Sequence, residues 1–302
     1  IASKIVSRRG FNDLGGQMSH QSKWKKSVFE TYEDASISYD WTVQLKQKCD
    51  EVDITYLTSP YDMESIDHVD PYVPAYKIGS GDITWHEIIK YIADKGKPVF
   101  IATGASTMEE VQSAMEVLQK DTQDIVLMQC NTNYTADPKN LKYLNLKVLN
   151  SYKQKFGDKV ILGLSDHTHG NLSVLGAVAM GARVIEKHFT DNNSQNGPDH
   201  KFSMNPKTWK KMVDETRMLE SALGDGIKKI EKNEKKSIIV QRRSIRAKKN
   251  ITKGSIIKKS MLINLRPITD KGIAPYEISK ILNKRAKVNI EAQEEMTWKK
   301  IK

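Results

Sequence analysis

The chain has 302 residues, 38% of them hydrophobic, and a formal net charge of +11. That length suits one large domain and a small one, and no apolar run approaches the roughly 18 residues a bilayer span requires, so no membrane partner is expected. Cys49 and Cys130 are the only cysteines; they are too few for a disulfide framework and read as reduced thiols of a cytoplasmic protein.

Residues 1–52 hold a basic, loop-like segment, SKIVSRRGFNDLGGQMSHQSKWKKS, and then a helix over DWTVQLKQKCDEV. They offer no convincing strand. From residue 53 short apolar runs follow one another: DITYLTSP (53–60), AYKIGS (75–80), PVFIATG (98–104), DIVLMQC (124–130), VILGLSD (160–166) and RVIEKHFT (183–190). Helical stretches such as HEIIKYIADKG and MEEVQSAMEVLQK separate them. Alternating β/α units predict a parallel sheet, whose strands are covered on both faces and so read as continuous apolar runs. Polar residues gather at the C-terminal end of every run, where the active site of a (β/α)₈ barrel lies. A doubly wound sheet uses the same ends near its switch point. The barrel is preferred because polar groups come from all six runs. Six strands do not close it, so a (β/α)₈ barrel lacking its first one to two βα units before Ile1 is expected.

Charge marks the other boundary. Residues 227–302 carry 22 Lys and Arg against 7 Asp and Glu, whereas residues 1–226 carry 26 against 30. The expected domains are an N-terminally incomplete barrel over 1–226, a charged linker over 227–237 and a small β-rich domain over 238–302 with one helix near 276–283. The basic tail reads as a solvated surface. Its aromatic residues are sparse and it shows no recognition-helix pattern, so no nucleic-acid partner is expected.

Two strand ends carry histidine. LSDHTHG places Ser165, Asp166 and His167 at the mouth of one strand, and VIEKHFT places Glu186 and His188 on the next. Side chains alternate along a strand, so Glu186 and His188 share a face while Lys187 points to the helical layer or solvent. Neighbouring strands lie roughly 5 Å apart, so His167 and His188 could share one divalent ion with open positions. The alternative is two hydrogen-bonded core histidines. In GPDHKFSMNP (197–206), Gly-Pro sets a loop above the last strand, Asp199 and His200 face the mouth, and SMNP starts the next helix. Asp199 either serves the site or bonds backbone amides. In AYKIGSGD, Lys77 lies inside an apolar strand and needs an anion. A substrate phosphate or carboxylate would serve, with Gly79, Ser80 and Gly81 allowing close approach; an internal salt bridge to a neighbouring strand is the alternative.

Together KIGSGD, GLSDHTHG, ARVIEKHFT and GPDHKFSMNP resemble the sialic acid synthase family (N-acetylneuraminate/legionaminate synthase type). RRSIRAKKNITKGSIIKKSMLINLRP resembles the antifreeze-like (SAF) domain that follows the barrel in that family. The resemblance implies condensation of phosphoenolpyruvate with an N-acetylated hexosamine, giving a nine-carbon α-keto acid and phosphate for cell-surface polysaccharide. The sugar would be N-acetylmannosamine or 2,4-diacetamido-2,4,6-trideoxymannose, and KIGSGD leans toward these over the pseudaminate branch. Carried over, His167 and His188 match ligands of a divalent ion, usually Mn²⁺, with Mg²⁺ or Co²⁺ as alternatives. Lys77, Ser80, Ser165 and Thr132 match phosphoenolpyruvate contacts, and Thr132 stands where some members carry Asn. Glu186, Asp199 and Lys77 match catalytic positions. Tyr61, Tyr134, Asp199 and Arg266 match sugar contacts, Arg266 entering the partner's barrel in a domain-swapped homodimer. The family's opening E-I-G-x-N-H-N-G-like motif, with its catalytic Glu, and its K-F-Q strand have no counterpart in these residues. A non-catalytic carbohydrate-binding remnant of such a synthase is the alternative.

Overall fold

The computed structural model describes residues 2–18, 21–22, 24–121, 124–135, 137–197 and 199–302. Pro198, and with it the expected Gly-Pro turn, lies outside them, as do Ser19, His20 and Lys23 of the basic N-terminal segment. The chain divides into two compact units, Ile1–Gly224 and Asp225–Lys302.

The first unit opens with helices α1 (Ala2–Ile5), α2 (Arg8–Asp13), α3 (Val28–Asp34) and α4 (Trp41–Glu51). The basic segment is therefore not simply a loop. Side chains that satisfy the unpaired N–H groups of a first turn explain why. Ser7 accepts from the amide of Gly10, and Ser27 and Glu30 form a reciprocal capping box on α3.

Helix α5 (Met63–Val69) precedes the sheet. Strand β1 (Tyr76–Ile78), α6 (His86–Ala93), β2 (Val99–Ala102), α7 (Met108–Asp121), β3 (Ile125–Cys130), α8 (Val148–Phe156), β4 (Ile161–Asp166), α9 (Leu172–Ala179), β5 (Val184–Lys187) and α10 (Pro206–Leu223) follow. The five strands are parallel and ordered β1-β2-β3-β4-β5. A parallel bridge between Phe189 and Met204 extends the far edge. Asn205 and Thr208 then form a capping box at the start of α10, so SMNP does lead into a helix.

The run at 53–60 is not a strand. A strand exists where a neighbour takes its backbone hydrogen bonds, and among the described residues no ladder or bridge reaches this segment. Ile54 and Leu57 are exposed, not enclosed between two layers.

Strand parity sorts the core. Tyr76, Ile78, Val99, Ile101, Ile125, Leu127, Leu162 and Leu164 pack against the helices. Each fully buried aliphatic side chain there is worth about 1.5–3 kcal/mol. Ala102, Val126, Met128 and Cys130 form a smaller cluster on the other face, with Phe100 and Val184 against it. Gly163 belongs to that face, because a Cβ there would stand 2.8 Å from Met128 Cγ and 3.1 Å from Val126 Cγ1.

The sheet is strongly curved. Four strand spacings would set β1 and β5 roughly 19 Å apart in a flat sheet, too far for two side chains to bridge. Yet Lys77 Nζ of β1 and Glu186 Oε1 of β5 are 3.3 Å apart. The inner face is thus the concave side of a barrel wall.

The second unit begins with α11 (Lys235–Gln241), so the end of the expected linker is helical. Antiparallel strands β6 (Ser244–Ala247) and β7 (Leu262–Leu265) and isolated bridges such as Ile251–Ile290 and Ala286–Ile301 enclose a core of Ile245, Ile257, Ile273, Ile290 and Met296. Helix α12 (Ile278–Ile281) is the helix expected near 276–283. Among the described residues no helix is long and apolar enough to cross a membrane.

Candidate active site

The inward residues at the C-terminal ends of β1, β4 and β5 meet on the concave face. Lys77 is largely buried and pairs with Glu186. The Glu186 carboxylate also accepts from the Ser165 hydroxyl at 2.9 Å. An internal salt bridge for Lys77 therefore exists, though it runs across the barrel to β5 and not to the adjacent strand. It leaves the Glu186 side chain 46% exposed. A cation held against a half-exposed carboxylate remains open to exchange that partner for an incoming anion.

Of the two imidazoles in the site, His167 is buried and the His188 side chain is 30% exposed. Their ring centroids are 5.2 Å apart. His167 Nδ1 stands 2.9 Å from the Asn131 carbonyl. A carbonyl only accepts, so Nδ1 carries the proton and Nε2 keeps its lone pair. His188 Nδ1 faces Asp199 Oδ2 at 3.5 Å, which favours the same tautomer. Burial holds both imidazoles below the ordinary histidine range, the Asn131 carbonyl opposing it at His167 and the Asp199 carboxylate at His188. Both are therefore neutral at pH 7, the form that binds metal. The donor set fits a divalent ion resting on two imidazoles, with oxygens of water or substrate completing its shell. Among the described residues no group of three or more His, Cys, Asp or Glu is placed to hold one.

Aromatic rings wall this part of the site. The Tyr134 ring is 4.1 Å from His167 and 5.8 Å from His188, and buried Phe202 lies 4.9 Å from His188. Burial raises the Tyr134 phenol well above its usual range, so it stays a neutral donor. On the β1 side, Tyr61 and Asp82 flank Gly79, where a Cβ would stand 3.5 Å from Tyr61 Cε1 and 3.6 Å from Asp82 Oδ2. Burial raises Tyr61, with the charge of Asp82 adding to it. Asp82 is raised by burial against the opposing pull of Lys77. The segment 53–60, although no strand, leads directly into Tyr61.

Ser80, Thr132, Cys130 and Gly104 form a third group. Ser80 Oγ accepts from the Gly104 amide at 2.9 Å. A Cβ on Gly104 would stand 3.0 Å from both Ser80 Oγ and Cys130 Sγ, and closer still to Thr132 Cγ2. Buried Cys130 has its thiol raised by desolvation and lies 3.9 Å from His167 Nδ1.

Lys77, Ser80, Thr132, Tyr61, Tyr134, Ser165, His167, Glu186, His188 and Asp199 thus all belong to the strand ends of the first unit or the loops over them. Arg266 does not. It is exposed in the second unit, where its Nε donates to the Gln241 carbonyl at 2.6 Å. Gly104, Phe202 and Tyr32, whose phenol feels the Asp199 charge, were not singled out by sequence. A glycine closing the β2 run was visible, but its crowding depends on three distant residues.

Lys187, the third charged residue of VIEKHFT, points outward and is fully buried. Its Nζ donates to Asp166 Oδ2 at 2.6 Å. Solvent, one of the two surroundings expected for it, is excluded.

Residues 2–228 match the NeuB family and residues 242–302 match the SAF domain. The chain is 39% identical over 252 residues to N,N'-diacetyllegionaminic acid synthase of Campylobacter jejuni, covering 82% of this chain and 72% of that protein. It is 35% identical over 269 residues to pseudaminic acid synthase of the same species, covering 88% and 76%. The solved structure of N-acetylneuraminic acid (sialic acid) synthetase from Leptospira borgpetersenii, in complex with citrate, is similar with a TM-score of 0.65 at 26% identity, covering 74% of this chain and 77% of that one. With three quarters of its length matching one family and a SAF domain after it, the chain belongs to the NeuB family.

Proposed function

We propose that the protein is a sialic-acid-type synthase that condenses phosphoenolpyruvate with an N-acetylated hexosamine, releasing phosphate and forming a nine-carbon α-keto acid. The observation that carries this reading is the convergence of an exchangeable cation, Lys77, with two neutral imidazoles and the Glu186 and Asp199 carboxylates on one concave face. The family of the relatives supports the same chemistry. Relatives named for legionaminic and pseudaminic acid match almost equally well, and the amino sugar is taken to be N-acetylmannosamine or its 2,4-diacetamido-6-deoxy counterpart.

In this reading Lys77 binds the phosphate or carboxylate of phosphoenolpyruvate, with Ser80, Thr132 and Ser165 as hydroxyl partners. Tyr134 and Tyr61 line the sugar's place. The methylene carbon of phosphoenolpyruvate forms a bond to the aldehyde carbon of the open-chain sugar, and the aldehyde oxygen takes up a proton. Water adds at the neighbouring carbon that bears the phosphate, and the C–O bond to phosphate breaks to leave the ketone. The two protons of that water end on the new hydroxyl and on phosphate, and Glu186 and Asp199 are placed to carry them. A divalent ion, Mn²⁺ on this reading, would be held by His167 and His188 and would polarise the aldehyde. The reading also includes a homodimer in which Arg266 serves the partner's barrel.

The test is phosphate release from phosphoenolpyruvate with and without amino sugar and Mn²⁺. Release is expected only with both, and its loss in His167→Ala/His188→Ala. Unchanged release in that variant would remove the metal pair from the reading. No release under any condition, with sugar still bound in calorimetry, would leave a carbohydrate-binding protein. A monomer in sedimentation at micromolar concentration would remove the dimer.

A further inference from the structure

We infer that the buried Asp166–Lys187 ion pair is the positioning device that sets the separation of the His167 and His188 imidazoles. Asp166 and Lys187 are register partners across β4 and β5. Their side chains are 0% and 1% exposed and face the helical layer, whereas Ser165, His167, Glu186 and His188 project from the opposite face. The pair therefore fastens the two strands directly behind the site.

The fastening encloses His167. Lys187 Nζ donates to Asp166 Oδ2 at 2.6 Å and to the Thr168 carbonyl at 2.7 Å. Asp166 also accepts from the Thr168 amide at 2.9 Å, from the Thr168 hydroxyl at 3.1 Å, and from the Ser173 hydroxyl of α9. Residues 166 and 168 are thus both tied to Lys187, which is itself flanked by Glu186 and His188. The chain on both sides of His167 is held by hydrogen bonds that converge on the ion pair. Burial of an ion pair is a poor source of stability, since well-packed apolar replacements are often neutral or better. What the pair supplies here is geometry: one charge on each strand, directional bonds, and no water to loosen them. The inference rests on reading His167 and His188 as a metal pair.

The test is the double variant Asp166→Asn/Lys187→Met in the 302-residue chain, which removes both charges while keeping shape. Expected are native circular dichroism, Mn²⁺ binding by electron paramagnetic resonance weakened about 10–100-fold, and a crystal structure in which the ring separation departs from the 5.2 Å of the parent. A folded double variant that keeps both the affinity, within about twofold, and the ring separation overturns the inference. If the parent takes up no Mn²⁺, the metal reading fails on its own account. The ring separation then decides alone, displaced rings supporting the positioning role and undisplaced rings overturning it. Should the double variant not fold, Ser173→Ala removes a single donor from Asp166. A displaced His167 ring in that variant supports the inference, and an unmoved ring with unchanged Mn²⁺ affinity refutes it.

Discussion

Gly104→Ala tests the phosphoenolpyruvate side of the site with one added carbon. The new Cβ would stand 3.0 Å from Ser80 Oγ and Cys130 Sγ and closer to Thr132 Cγ2, all inside the roughly 3.5–4.0 Å of ordinary carbon contact. Three side chains from β2's neighbours must therefore give way at once, and none is the far end of a long flexible chain. Overpacking of this kind costs about 1–3 kcal/mol. In a unit of some 220 residues each kcal/mol is worth about 2–4 °C, so the melting temperature should fall by about 2–12 °C. The displaced groups include Ser80 and Thr132, and the Gly104 amide that donates to Ser80 moves with them. The KM for phosphoenolpyruvate should accordingly rise about tenfold, equivalent to about 1.4 kcal/mol, while the KM for the sugar changes little. Thr132→Ser removes the closest atom, and adding it to Gly104→Ala should recover about 0.5–1 kcal/mol as a coupling between touching residues. Circular dichroism melts and steady-state phosphate release measure both effects. A Gly104→Ala protein that melts with the parent and keeps its KM would refute the crowding and the placement of the anion there.

Two other predictions concern charge. Burial lowers both His167 and His188 from 6.5, so near pH 7 they are neutral in the folded and unfolded chain alike. As pH falls below about 6.5 the unfolded chain takes up protons first, and stability is lost until the lowered native values are reached. The urea midpoint should drop on going from pH 7 to pH 5, with a shallower drop in His167→Gln, and equal slopes in the two proteins would contradict the assignment. Glu186→Gln should free Lys77 for an incoming anion, lowering the KM for phosphoenolpyruvate, while kcat falls through loss of a proton carrier. A KM that rises would show that Glu186 holds Lys77 in place and does not compete for it.

Much of the site was legible because strand geometry is local. In VIEKHFT the two-residue period alone puts Glu186 and His188 on one face and Lys187 on the other, and the structure bears this out. Polar groups at the ends of apolar runs likewise marked the mouth. Residues 53–60 show where such reading fails. Their composition suits a strand, but a strand is a property of two segments, and no described neighbour pairs with this one. The capping boxes Ser27–Glu30 of α3 and Asn205–Thr208 of α10 emerged from the structure; SMNP was read as a helix start, but the basic composition around Ser27 was read as a loop.

The sequence by itself determined five of the six runs as parallel strands, which face of the last one looks inward, and where the charged boundary between the two units falls. These follow from backbone periodicity and from composition, which act over a few residues. Only the tertiary structure decided that Lys77 meets Glu186 across the barrel, that Asp166 neutralises Lys187 behind the histidines, and that Gly104 is crowded by Ser80, Cys130 and Thr132. Each of those depends on sheet curvature or on register between strands far apart in the chain. Such features are sums over many residues, and no single stretch of sequence carries them.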